Sequence, residues 1–242
     1  MSAPAPSSAS PATYPGPRGT LPHPSRQPLP GPTLRTRINR GLTARWVQPL
    51  LIALCLLPLA WLLVAAFTDR LGANPAEALI RASGDWALRF LCPTLAITPL
   101  RMGLQLPMLV RLRRTLGLFV AFYAASHLLA YAWFDMGFEW EDIARDIAKR
   151  PFILVGMVAF GLLLPLAATS FNRAVKALGA VRWRILHKAV FGIAVLALLH
   201  FYWMRSAKNN VAEVVMYALV LGFLMGWRVR HAWQAQRVGG AT

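Results

Sequence analysis

Acidic side chains are scarce in this chain. Of 242 residues only 9 are Asp or Glu, against 26 Lys and Arg, which gives a formal net charge of +17; charged residues of both signs reach only 14%. Soluble globular chains carry about 25%, so an ordinary water-soluble domain is excluded. Cysteine is also rare. Cys55 and Cys92 are the two present, with no CxxC or CxxCH pattern, which excludes a disulfide scaffold, a zinc ribbon and covalently attached c-type heme. Metal chemistry must therefore rest on histidine. What the chain has instead is 57% hydrophobic residues, gathered into blocks of about 20, the length that crosses a bilayer as a helix. The fold class expected is all-α, a polytopic membrane protein.

Residues 1–45 are rich in proline, with Ser, Ala, Thr and scattered Arg, and offer no apolar period from which to build a core. They read as a disordered tail with no cleavable signal, and His23, between two prolines, reads as functionally silent. Apolar runs between charges then predict six helices, at about 47–67, 87–108, 116–134, 152–170, 188–204 and 211–227, followed by a short tail over 231–242. The second is interrupted by Pro93, Pro99, Arg101 and Pro107. It is kept as a kinked span, since proline is tolerated where neighbours satisfy the freed backbone groups.

Charge sets the expected orientation. The first tail, the segment with Arg101, Arg111, Arg113 and Arg114, the connection with Arg173, Lys176, Arg182, Arg184 and Lys188, and the last tail with Arg228, Arg230 and Arg237 fall on one side. Every acidic residue falls on the other: Asp69, Glu77, Asp85, Asp135, Glu139, Glu141, Asp142, Asp146 and Glu213. Short cytoplasmic segments are enriched in Lys and Arg, so both termini are expected in the cytoplasm. The positive charge is then accounted for by topology, and no nucleic-acid partner is expected.

Ionisable residues inside a span are functional-site candidates by default. With Arg89, Arg101 and Glu213 set aside near span ends, three histidines remain: His127, His187 and His200. His127 lies 11 residues beyond Leu116 and His200 12 beyond Lys188, on two helices expected to run in the same direction. At about 1.5 Å rise per residue their depths match. Two imidazoles from adjacent helices suit the axial positions of a b-type heme, an electron carrier rather than an oxygen binder. For either histidine alone, the competing reading is an interhelical hydrogen bond. His187 stands 13 residues before His200, roughly 20 Å away along a helix. It is a candidate for a second, inner iron, with solvation at the interface as the equal alternative. Arg113 and Arg114 suit propionate carboxylates better than iron; with Arg111 they are first of all cytoplasmic-side residues and second a candidate anion cradle for heme propionates or a flavin phosphate. Tyr123 and Tyr131 flank His127 at four residues on either side, for a cofactor wall or for aromatic packing. His231, among basic residues, reads as solvated, and the acidic loop from Asp135 to Asp146 is a candidate docking surface with a solvated loop as its rival.

Four segments carry a family resemblance: TLAITPLR at 94–101, RLRRTLGLFVAFYAASHLLAY at 111–131, KRPFILVG at 149–156, and LAATSFNRAVKALGAVRWRILHKAVFGIAVLALLHFYW at 166–203. Together they resemble the heme-binding membrane subunits of the bacterial protein-methionine-sulfoxide reductase system, within the ferric-reductase-like transmembrane superfamily. The likeness spans roughly residues 45–230. It implies a heme domain over 46–230, with His127, His187 and His200 at the family's heme-histidine positions, b-type heme, and FMN as an associated cofactor. It further implies an electron-transfer subunit of the bacterial inner membrane, taking electrons from membrane quinol or from a cytosolic flavin reductase. The acceptor would be a periplasmic molybdopterin-containing subunit that repairs methionine sulfoxide in oxidised proteins. Fewer than about 20 residues follow the sixth predicted helix, too few for a nucleotide-binding domain, so a nicotinamide cofactor of its own is not expected. The rivals are a stand-alone membrane ferric reductase and a non-redox transporter or scaffold.

Overall fold

A computed structural model describes residues 33–206 and 211–239. The expectation of a disordered segment over residues 1–32 and the position of His23 lie outside these residues. Among the described residues the secondary structure is helical throughout: α1 Leu34–Leu42, α2 Val47–Phe67, α3 Pro75–Leu104, a short 3-10 turn Pro107–Leu109, α4 Val110–Ala130, a π turn Tyr131–Asp135, α5 Trp140–Lys149, α6 Pro151–Ala168, α7 Asn172–His187, α8 Ala189–Ser206 and α9 Ala212–Gly239.

Five segments are long and apolar enough to cross a membrane: Val47–Phe67, Pro107–Asp135, Pro151–Ala168, Asn172–Ser206 and Ala212–Gln234. The expected second span is a helix, but it begins at Pro75 rather than near residue 87 and ends at Leu104. Asn74 caps its start, accepting from the Glu77 backbone N–H at 3.1 Å, and Pro75 occupies the first turn, where a missing N–H removes nothing. Its early turns hold Glu77, Arg81, Asp85 and Arg89, so composition alone does not mark it as a span. In the sequence these charges look like the end of a span; in the fold they all lie in the first half of one long helix.

Four other boundaries move. Residues 34–42, assigned above to the tail, form α1. The acidic connection after α4 contains the amphipathic helix α5. The stretch between α6 and α8, expected as a loop, is α7, bent at Gly179, whose φ of 75° is a left-handed conformation open to glycine. α9 runs to Gly239, well past the expected end at 227, because no Pro or Gly follows Gly226 until that point.

The core lies where α3, α4, α6, α8 and α9 meet, built on Leu91, Leu95, Val120, Leu163, Ile193, Ala194 and Leu221. The most extensive packing is between α3 and α4 and between α6 and α8. Outward faces are apolar as well: Leu57, Trp61, Phe67, Leu219 and Phe223 are exposed, the pattern of a surface that faces lipid rather than water.

Tyr123 has a structural role in this frame. Pro58 interrupts α2, and one residue later the Tyr123 hydroxyl enters the opened ladder. It accepts from the Leu59 N–H at 3.1 Å and donates to the Cys55 carbonyl at 2.9 Å. Lipid offers no substitute partner for such groups, so a fully buried tyrosine on α4 repairs the proline break in α2.

Candidate functional site

His127 on α4 and His200 on α8 come together, with ring centres 6.1 Å apart and ring planes at 75°. The environments of the two rings repeat each other. The Nδ1 of His127 bonds to the Ile80 carbonyl of α3 at 2.7 Å, and that of His200 to the Phe152 carbonyl of α6 at 2.6 Å. A carbonyl oxygen only accepts, so each ring carries its proton on Nδ1 and keeps a lone pair on Nε2. The interhelical hydrogen bond raised above as a rival reading is present in both cases, and it leaves the second nitrogen of each ring uncommitted.

A glycine makes each approach possible. Ile80 and Phe152 are followed four residues later by Gly84 and Gly156, the helical partners of those same carbonyls. A Cβ on Gly84 would lie 3.0 Å from His127 Nδ1, and one on Gly156 2.9 Å from His200 Nδ1. The imidazole thus occupies the space a side chain would fill. Sequence reasoning misses both glycines; the signal available is a glycine at a matching place on each helix paired with a histidine-bearing one.

Both histidines line one cavity of about 270 Å³. One end is apolar, with Leu91, Val120, Leu163 and Ile193; the other carries Arg81, Asp85, Tyr131, Arg150 and Arg205. At this acidic end the charges are paired. Arg205 reaches Asp85 at 3.1 Å and Glu213 at 3.0 Å, which joins α8 to α3 and α9. Arg150 meets Asp146 at 2.9 Å, and Tyr131 donates to the same carboxylate at 2.8 Å. Of the two tyrosines flanking His127, Tyr131 therefore faces the cavity, whereas Tyr123 belongs to the contact with α2.

The residues fit a metal held axially. Imidazole–metal bonds of about 2 Å, with roughly 1 Å more from each nitrogen to its ring centre, separate two ring centres by about 6 Å. Among the described residues no group of three or more His, Cys, Asp or Glu forms a metal site. Two imidazoles alone would leave most of an iron's coordination unfilled, so the pair would suit an iron that brings further ligands of its own, as heme does.

His187 is not brought to this pair. It ends α7 rather than beginning the fifth span, and its ring stacks on Trp183 with centres 3.9 Å apart while Nδ1 donates to the Trp183 carbonyl at 3.1 Å. Its Nε2 is buried without a hydrogen-bond partner. The helix breaks beside it, at Lys188. Arg113 is half-buried near His187. Arg114 is exposed and donates to the Asn172 side chain at 2.7 Å, so the two arginines separate. His231 is exposed and stacks on Trp227.

The chain is a bundle of membrane-length helices with a histidine pair facing one cavity, and residues 83–198 match the family described as the ferric reductase like transmembrane component. Three curated relatives carry the name protein-methionine-sulfoxide reductase heme-binding subunit MsrQ. The one from Polaromonas naphthalenivorans is 63% identical over 190 residues, 78% of this chain and 87% of that protein. That from Herminiimonas arsenicoxydans is 46% identical over 195 residues, 81% and 89%, and that from Bordetella parapertussis 48% over 197 residues, 80% and 95%. The chain belongs to the MsrQ family. No solved structure matches it.

Proposed function

We propose that this chain is the transmembrane electron-transfer subunit of a protein-methionine-sulfoxide reductase system, in which His127 and His200 would hold the iron of a b-type heme. The observation that carries the reading is the pair itself: two imidazoles on different helices, each fixed as the Nδ1–H tautomer by a carbonyl of a third and fourth helix, at a spacing that suits one iron. Hydrogen bonds of this kind to the far nitrogen orient a ligand and raise its basicity. Bound there, heme supplies one-electron chemistry inside an otherwise insulating layer.

The protein's own residues define the rest. His127 and His200 hold the group, Gly84 and Gly156 let their rings reach the carbonyls, and the apolar end of the cavity excludes water. The charge distribution supports six spans, α3 included, with both termini in the cytoplasm. That orientation puts the His127–His200 pair towards the outer leaflet of the inner membrane. His187, with its free buried Nε2, is the ligand we assign to an inner heme. Membrane quinol or a cytosolic flavin reductase supplies the electrons, FMN is an associated cofactor, and a periplasmic molybdopterin-containing subunit accepts the electrons. These donors, cofactors and acceptors rest on family membership.

Purified protein made with ample heme should show a Soret band and α band of b type, reducible by quinol. A preparation that carries no heme refutes the reading. Rapid reduction of ferric chelates by reconstituted protein with no partner subunit would favour a stand-alone metal reductase instead.

A further inference from the structure

The short helix α1, ahead of the first span, divides into an apolar stripe and a basic remainder. Leu34, Ile38 and Leu42 recur at every fourth residue and so share one side of it. With about 100° between successive residues, Arg35 and Arg37 fall on either flank of that stripe and Arg40 on the far face. No Asp or Glu precedes Asp69 in the chain, so this segment carries no counter-charge of its own.

Two contacts fix where α1 lies. Its end passes into α2 through a tight turn, in which backbone N–H groups donate from Thr43 to the Arg40 carbonyl at 3.2 Å, from Ala44 to Gly41 at 3.0 Å and from Val47 to Ala44 at 3.2 Å. Its flank packs beside the Pro107–Leu109 turn that joins α3 to α4, and Arg35 donates to the Gln105 side chain there. Val47 begins one segment long enough to cross the membrane, and Pro107 begins another. A helix about 13 Å long, held at the ends of two spans, lies in the headgroup layer rather than out in water.

The protein leaves most of the stripe uncovered. Leu34 is 73% exposed and Ile38 40%, and Trp46, just before α2, is 61% exposed. Among the described residues the guanidinium groups of Arg37, Arg40 and Arg45 make no hydrogen bond or ion pair. At this depth one medium suits both faces: acyl chains take the apolar stripe, and phosphate oxygens take the arginines.

We propose that α1 is an in-plane anchor for anionic phospholipids, with Leu34, Ile38 and Trp46 set into the acyl boundary and Arg37 and Arg40 meeting headgroup phosphates. The proposal needs only that α2 and α4 cross the membrane. It stands or falls apart from the heme reading.

The test is hydrogen–deuterium exchange on the full chain in nanodiscs of phosphatidylcholine alone and of phosphatidylcholine mixed with phosphatidylglycerol. Exchange over residues 34–42 should be at least about fivefold slower in the mixed discs, the effect of one arginine beside an anionic leaflet, and high salt should shrink the difference. In Arg37→Gln/Arg40→Gln, which leaves the Arg35–Gln105 bond in place, most of the difference should vanish. An equal loss of charge on α7, Arg173→Gln/Arg182→Gln, should keep it. Leu34→Ser/Ile38→Ser should exchange fast in both kinds of disc. Equal exchange of wild-type α1 in the two discs overturns the proposal without recourse to any variant, so a substituted chain that fails to insert does not shield it. A full lipid difference retained in Arg37→Gln/Arg40→Gln overturns it as well. Exchange that is equally slow in detergent and in both discs would mean that protein, such as a second copy of this chain, covers the stripe in place of lipid, and the proposal would again be wrong.

Discussion

The two ends of the bundle hold their histidines in opposite ways. At the acidic end each imidazole is bonded to a carbonyl of a neighbouring helix, and every arginine that lines the cavity is held by a carboxylate. At the arginine-rich end His187 bonds within its own helix and the cations around it are unpaired. The first arrangement is complete in the protein alone apart from two free nitrogens. The second leaves Arg228 Nε and His187 Nε2 buried without a partner. A site that must hold a metal at a set distance needs rigid donors from separate helices.

Breaking the rigid end should give the largest effect. His127→Ala and His200→Ala are each expected to abolish most of the Soret absorbance of purified protein; unaltered spectra in both would remove the assignment of the pair. Next comes the support of a ligand rather than the ligand itself. Gly156→Ala puts a Cβ 2.9 Å from the position of His200 Nδ1, and should lower heme affinity by about tenfold to a hundredfold, read by heme transfer to apomyoglobin. Full retention would mean that the carbonyl bond is dispensable. His187→Ala sharpens the comparison from the other side. It should leave the spectrum of the His127–His200 heme in place and remove only the inner share, so heme per chain falls without complete loss. A smaller effect is expected from Tyr123→Phe, which leaves the Leu59 N–H and the Cys55 carbonyl unpaired. That substitution should destabilise the bundle by about 1 kcal/mol, seen as a lower unfolding midpoint with the heme spectrum unchanged.

Much of the pair is legible in the amino-acid sequence. Apolar runs locate five of the helices to within a few residues at most of their boundaries, and counting from their inner ends puts His127 and His200 at one depth. The sequence pattern starts α3 too late in the chain because Glu77, Arg81, Asp85 and Arg89 look like the end of the membrane. In the fold Arg81 and Asp85 line the charged end of the cavity, where Arg205 arrives from elsewhere in the chain to meet both Asp85 and Glu213. Gly84 and Gly156 escape notice for a different reason: a glycine in a membrane helix has many uses, and only the approach of an imidazole reveals this one. Arg228 reads as part of a tail when a span is taken to stop at its first charge, yet α9 continues and the guanidinium folds back onto α3.

The amino-acid sequence by itself determined the class of protein, its helices and the residues able to ligate iron, because apolar length, charge sign and side-chain chemistry are properties of the chain at each position. Only the tertiary structure decided which nitrogen of each imidazole is free, that Tyr123 mends a neighbouring helix, and that Arg228 turns inward onto the Leu95 carbonyl. Those outcomes depend on which backbone carbonyls and side chains from distant segments come within about 3 Å of one another, the range in which a hydrogen bond is made or lost.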